Sequence, residues 1–81
     1  MKDIKVYVKT GCPWCVELEA YMVQKGINYE SIEVLSNADK FNEMIAISGQ
    51  SKAPVVVIDG EVFSDTDKEA MEKVFAEKGI I

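Results

Sequence analysis

Two cysteines stand three positions apart in the run Cys12-Pro13-Trp14-Cys15. That spacing suits a two-step exchange. On a helix, positions i and i+3 share a face, so Cys15 can reach back to a sulfur at Cys12. A Cys12 thiolate attacks a substrate disulfide, Cys15 resolves the adduct, and a Cys12–Cys15 disulfide remains. Pro13 and Trp14 restrict the intervening loop, and Trp14 offers an apolar ledge beside the sulfur. Three duller readings compete with this one. A structural disulfide here closes a very short loop and stabilises little. A structural zinc site needs about four ligands, whereas the chain offers two thiols and no histidine. Two unrelated buried thiols leave the position of the pair unexplained.

That position comes from the flanking pattern. Ile4, Val6 and Val8 alternate with Lys5, Tyr7 and Lys9, the period of a strand. Thr10-Gly11 breaks it, and Pro13 suits the first turn of a helix, where its missing N–H is not needed. Cys15, Leu18 and Met22 then recur at helical spacing, and Gly26 marks the stop. Cys12 therefore falls where a strand gives way to a helix. Free backbone N–H groups and the helix dipole favour an anion there, and the thiolate is the reactive form. Lys9 adds a nearby positive charge.

The remaining elements follow from the same signals. Residues 27–34 carry a strand-like bias at Tyr29, Ile32 and Val34. Ser36 or Asn37 is placed to cap a second helix, with Phe41, Met44, Ile45 and Ser48 on one face and Gly49 at its end. Val55-Val56-Val57-Ile58 is an unbroken β-branched run, as expected of a strand buried on both faces. Asp59-Gly60 is a hairpin turn signal, and Glu61-Val62-Phe63 returns as an edge strand. Thr66-Asp67-Lys68-Glu69 has the form of a capping box, with Thr66 as N-cap. Met71, Val74 and Phe75 form the stripe of a third helix that Gly79 ends. The order is β-α-β-α-β-β-α. The expected fold is α/β, a four-stranded mixed sheet flanked by three helices, formed as one domain over residues 1–81.

Composition removes several function classes. Nine lysines face fourteen carboxylates, giving a formal charge of −5 with no histidine. Phosphate binding needs a dense cationic face, so nucleic acid is not an expected partner. There is no arginine for a bidentate carboxylate clamp and no imidazole base. The N-terminal residues lack the apolar core of a signal peptide, and no apolar run approaches a membrane span. The expected location is the cytoplasm, where paired cysteines are catalytic or metal-binding more often than structural.

The chain resembles the glutaredoxins, including the glutaredoxin-like hydrogen donors to ribonucleotide reductase. The resemblance rests on Tyr7-Val8-Lys9-Thr10-Gly11-Cys12-Pro13-Trp14-Cys15, on Ser48-Gly49, on Ala53-Pro54, and on the hairpin that follows. It implies the thioredoxin fold and a redox-active Cys12–Cys15 pair. It implies a cis peptide before Pro54, close to the cysteines, with the Ala53 backbone pairing to an extended substrate. It also implies a glutathione or substrate site drawing on Lys9, Pro13, Trp14, Ala53, Pro54, Thr66 and Asp67. Independently, Thr66 and Asp67 are explained as helix capping.

Departures from the family pattern concern the electron donor. Gln50 stands where glutaredoxins carry a basic residue, and Lys52 is the nearest replacement. Ser64-Asp65 stands in place of paired glycines, adding negative charge where an anionic tripeptide would dock. The last loop also lacks the signature of the hydrogen-donor redoxins. Glutathione as co-substrate and a thioredoxin reductase both remain open, with a slight preference for the reductase. Disulfide-containing proteins, ribonucleotide reductase among them, are the expected substrates. The chain is expected to act as a monomer without a tightly bound cofactor or metal. The alternative from another class is an iron–sulfur or metal carrier using Cys12, which the stiffening Pro13 disfavours.

Overall fold

The computed structural model describes residues 3–64 and 66–81, so Met1, Lys2 and Asp65 lie outside the described residues. The elements run β1 (Ile4–Val8), α1 (Pro13–Gln24), β2 (Glu30–Glu33), α2 (Ala38–Ser48), β3 (Val55–Ile58), β4 (Glu61–Phe63) and α3 (Lys68–Glu77). The strands form one sheet in the order β2-β1-β3-β4. β1 pairs with β2 in parallel, Val8 opposite Glu33, through the α1 crossover. β3 runs antiparallel to β1, and β4 antiparallel to β3. This is the four-stranded mixed sheet that the sequence pattern predicts, and it agrees with the thioredoxin fold that the family resemblance implies.

Strand alternation sorts the core into two layers. Ile4, Val6 and Val8 of β1 and Val56 and Ile58 of β3 pack with Leu18, Tyr21 and Met22 of α1 and with Met71 and Phe75 of α3. Tyr7 and Val55, pointing the other way, pack with Ile32, Val34 and Met44, and with Phe41 and Val57 at the margin. β3 is thus covered on both faces, as its unbroken β-branched run requires. Burying a side chain such as Leu18 or Phe75 contributes about 1.5–3 kcal/mol relative to leaving it exposed. The Tyr7 hydroxyl donates to Glu43 Oε2 at 2.7 Å, tying α2 to the sheet. Burial and that carboxylate push Tyr7 up to about 12.

Helix ends carry most of the differences from expectation. Asn37 rather than Ser36 caps α2, its side chain accepting from the Lys40 N–H. α3 begins one residue later than the capping-box reading places it. Asp67 is the N-cap, with Oδ1 accepting from the Ala70 N–H at 2.9 Å, while Thr66 is buried just before it. A carboxylate is as good a cap as a hydroxyl and adds charge at the positive end of the helix, so Asp67 takes the position. On α2 the inward face is narrower than expected. Met44 is buried, but Ile45 is 38% exposed. α1 ends in a Schellman motif, with Gly26 N–H donating to Val23 O and Ile27 N–H to Met22 O. Gly26 sits at φ 70°, the left-handed conformation that this motif demands. No helix among the described residues is long and apolar enough to cross a membrane.

Candidate functional site

The site grows from the end of β1. Residues 9–12 form a tight turn in which the Cys12 N–H donates to the Lys9 carbonyl at 3.2 Å. Gly11 is at φ 82°, fitting the third position of a type II turn. The turn delivers Cys12 to the N-cap of α1 in extended conformation, and Pro13 occupies the first helical position. There the Cys12 sulfur does what a capping oxygen does elsewhere. It accepts the Cys15 backbone N–H at 3.2 Å. That donor and the open, partially positive end of the helix both face the sulfur. The Cys12 Sγ also lies 3.9 Å from the Ala53 carbonyl oxygen.

The two cysteines, both in the thiol form, sit in unlike surroundings. Cys12 is half-buried, and Cys15, one turn on, is 2% exposed against the sheet. Burial pushes the Cys15 thiol up to about 12, reinforced by its hydrogen bond to Cys12 and by the charges of Cys12 and Glu19. A hydrogen bond from the Lys9 backbone acts in the opposite sense. One sulfur is thus half-open to solvent and accepts the Cys15 N–H, and the other is buried and held protonated.

Beside the pair, Trp14, Lys52, Ala53, Pro54, Thr66 and Asp67 line an open groove of about 260 Å³. The Ala53–Pro54 peptide is cis, matching the expectation from the family resemblance. Trp14 is 64% exposed and forms an apolar wall. The start of α3 supplies Thr66 and Asp67. Of the site residues that the family resemblance implies, five line this groove: Trp14, Ala53, Pro54, Thr66 and Asp67. Pro13 acts as the first residue of the helix instead. The side chain of Lys9 is not among the lining residues. Its ammonium lies 5.1 Å from the centre of the Phe41 ring, toward α2, because alternation along β1 turns position 9 to that face. Lys52, the candidate replacement for a basic residue at position 50, is the cation that lines the groove. Asp65, the carboxylate expected to oppose an anionic tripeptide, lies outside the described residues.

Sequence reasoning misses Glu33. A lone carboxylate at a strand end carries no motif, and its partner Thr10 is 23 residues earlier. The one available signal is the parallel pairing of β1 and β2, which brings their C-terminal ends together. Among the described residues, no group of three or more histidine, cysteine or acidic side chains is placed to hold a metal ion.

Known proteins resemble the chain in both sequence and fold. The sequence model of the Glutaredoxin family matches residues 4–63. An uncharacterised glutaredoxin-like 8.6 kDa protein of the rubredoxin operon of Clostridium pasteurianum is 32% identical over 71 residues, 88% of this chain and 95% of that protein. Glutaredoxin 3 of Escherichia coli K12 is 31% identical over 67 residues, 83% of this chain and 81% of its own. The crystal structure of the thioredoxin-like protein BC3987 superposes with a TM-score of 0.79 at 29% identity, covering 89% of this chain and 99% of that one. The match takes in the turn, both cysteines, the cis-proline strand and the hairpin, and so the chain belongs to the glutaredoxin family and is a thiol–disulfide oxidoreductase of the thioredoxin fold.

Proposed function

We propose that the chain reduces disulfides by a dithiol cycle in which Cys12 attacks and Cys15 resolves. The observation that carries this reading is the asymmetry of the pair: a half-buried sulfur accepting an N–H at the start of α1, and a buried thiol held at about 12. The Cys12 thiolate forms a bond to one sulfur of the substrate disulfide. The other substrate sulfur leaves as a thiolate and takes a proton. Burial holds the proton on Cys15, and while Cys12 is anionic its hydrogen bond and charge add to that hold. Once Cys12 is capped in the mixed disulfide, both influences vanish and Cys15 loses its proton more easily. Its sulfur then attacks Cys12, the second substrate thiolate departs, and the Cys12–Cys15 disulfide forms. The substrate gains two electrons and two protons, and the pair supplies them.

The groove supports an extended substrate laid across Trp14 and Pro54, with the Ala53 backbone as the pairing edge. Lys52 there shares the groove with Asp67, which offsets its pull on an anionic tripeptide. That balance and the net charge of −5 favour a thioredoxin reductase over glutathione as donor, and disulfide-bearing proteins, ribonucleotide reductase among them, as substrates. A monomer in the cytoplasm fits this role, since the open end of α1 must remain accessible. The test follows NADPH oxidation with a disulfide substrate, supplying electrons through glutathione and its reductase in one arm and thioredoxin reductase in the other. Turnover through thioredoxin reductase is expected. Efficient turnover with glutathione alone overturns the donor assignment, and turnover by Cys12→Ser overturns the dithiol cycle.

A further inference from the structure

We infer that Glu33 is a positioning residue for the attacking thiol, acting through the turn at residues 9–12. The observation is a carboxylate that bridges two loops. Glu33 Oε2 accepts from the Thr10 N–H at 3.0 Å and from the Leu35 N–H at 3.1 Å. Oε1 accepts from the Ser36 N–H at 2.8 Å and from the Ser36 hydroxyl at 2.7 Å. Thr10 belongs to the β1–α1 connection, and Leu35 and Ser36 belong to the β2–α2 connection.

The location explains the need. The parallel ladder between β1 and β2 continues to the bond from the Val34 N–H to the Val8 carbonyl. Beyond it β1 leaves the sheet, and the N–H of Thr10 points to where the ladder would have continued. The Glu33 side chain supplies that acceptor. Thr10 is the second residue of the turn whose fourth residue is Cys12. Fixing Thr10 therefore fixes the starting point from which Cys12 reaches the N-cap of α1 and the Cys15 N–H. The Glu33 carboxyl is held down to about 2, chiefly by the hydroxyl and N–H of Ser36, with the Thr10 and Leu35 N–H groups adding less. Each donor to an ionised carboxylate is a charge-assisted bond, stronger than a neutral one.

This inference rests on Cys12 as the attacking thiol, and it makes a directional prediction. A loosened turn weakens the match between the Cys12 sulfur and the Cys15 N–H, so the thiolate is less favoured. Removal of a negative charge alone does the reverse, because it favours the thiolate. The experiment measures the rate of iodoacetamide alkylation of Cys12 against pH in the reduced full chain, read by mass spectrometry, together with the thermal midpoint. Glu33→Gln is expected to slow alkylation at neutral pH by about threefold to tenfold, the scale of one net hydrogen bond, and to move the midpoint of the pH curve upward. Glu33→Asp keeps the charge but shortens the reach, and is expected to shift the curve in the same direction. Ser36→Ala removes a bond to the same carboxylate without touching Thr10, and is expected to lower the thermal midpoint while leaving the curve in place. An unchanged or downward-shifted curve in the Glu33 variants overturns the inference, even when the thermal midpoint falls. Cys12→Ser in the same assay separates the two levels. If it is alkylated as fast as the wild type, the assignment of Cys12 is wrong. If it is inert while the Glu33 variants match the wild type, only the role of Glu33 is wrong.

Discussion

The start of α1 and the start of α3 are built alike and used differently. Each helix opens with an extended residue whose side chain accepts the N–H three positions on, Cys12 from Cys15 and Asp67 from Ala70. Each contributes to the same groove, α1 through Trp14 and α3 through Asp67. The α3 cap is a carboxylate, followed by Glu69 in the first turn, whereas the first turn of α1 has no acidic residue. A permanent anion at α3 satisfies the helix end and leaves little attraction for another negative group. At α1 the cap is a sulfur that accepts the Cys15 N–H and, in the cycle we propose, is also the reagent. In that proposed cycle the positive end of α1 serves a charge that comes and goes.

Substitution at the two caps tests this contrast most severely. Cys12→Ser leaves a hydroxyl, which is a preferred N-cap. Disulfide turnover is expected to fall to the uncatalysed background, while the thermal midpoint of the reduced protein holds or rises. A fall in stability would break the comparison, because it would make the sulfur a better cap than the hydroxyl. Cys15→Ser should show a smaller but distinct loss. The first attack proceeds, and the protein accumulates as a mixed disulfide with its substrate, detectable by mass spectrometry, because no second thiol releases it. Free multiple turnover on a protein disulfide in that variant would remove Cys15 from the mechanism.

At the other helix the effect should be on stability instead. Asp67→Ala loses a cap and is expected to cost about 1 kcal/mol in a urea melt, with alkylation of Cys12 little changed. A large loss of Cys12 reactivity would mean that the two helix ends are coupled through the groove.

The titrating groups give the smallest and most graded test. Cys15 is raised from an ordinary 9.0 to about 12. The folded reduced protein therefore holds that proton more tightly than the unfolded chain. The resulting stability is intact below pH 9 and is lost as pH rises from there through about 12. A Cys15→Ala variant is expected to lose less stability across that window than the wild type. Tyr7 and Tyr29, both raised to about 12, contribute equally to the two proteins and cancel in the difference. Glu33 has the opposite sign. Its carboxyl is lowered from 4.5 to about 2, so the stability it confers is present above pH 4.5 and is lost as pH falls through about 2. Glu33→Gln should flatten that acid limb and leave the alkaline limb unchanged.

Local chemistry determined a large part of this molecule from the sequence by itself. The alternation of Ile4, Val6 and Val8, the unbroken run at β3 and the helical spacing of Cys15, Leu18 and Met22 encode the two core layers, because side-chain period alone decides which face is buried. The Cys12–Cys15 spacing, with Thr10-Gly11 before it and Pro13 within it, encodes a thiol at a helix start. Near misses at helix ends arose where neighbouring residues compete for one role, as Thr66 and Asp67 do for the cap of α3. Their order of preference differs by less than the packing that settles it. What only the tertiary structure decided involves partners remote in the chain. It turned the Lys9 side chain toward Phe41, gathered Trp14, Lys52, Pro54 and Asp67 around one groove, and buried Cys15 against the sheet so that its thiol stays protonated. It also brought Glu33 to Thr10. Desolvation and hydrogen bonds across 20 or more residues depend on how strands and helices are laid together, and no local pattern contains that information.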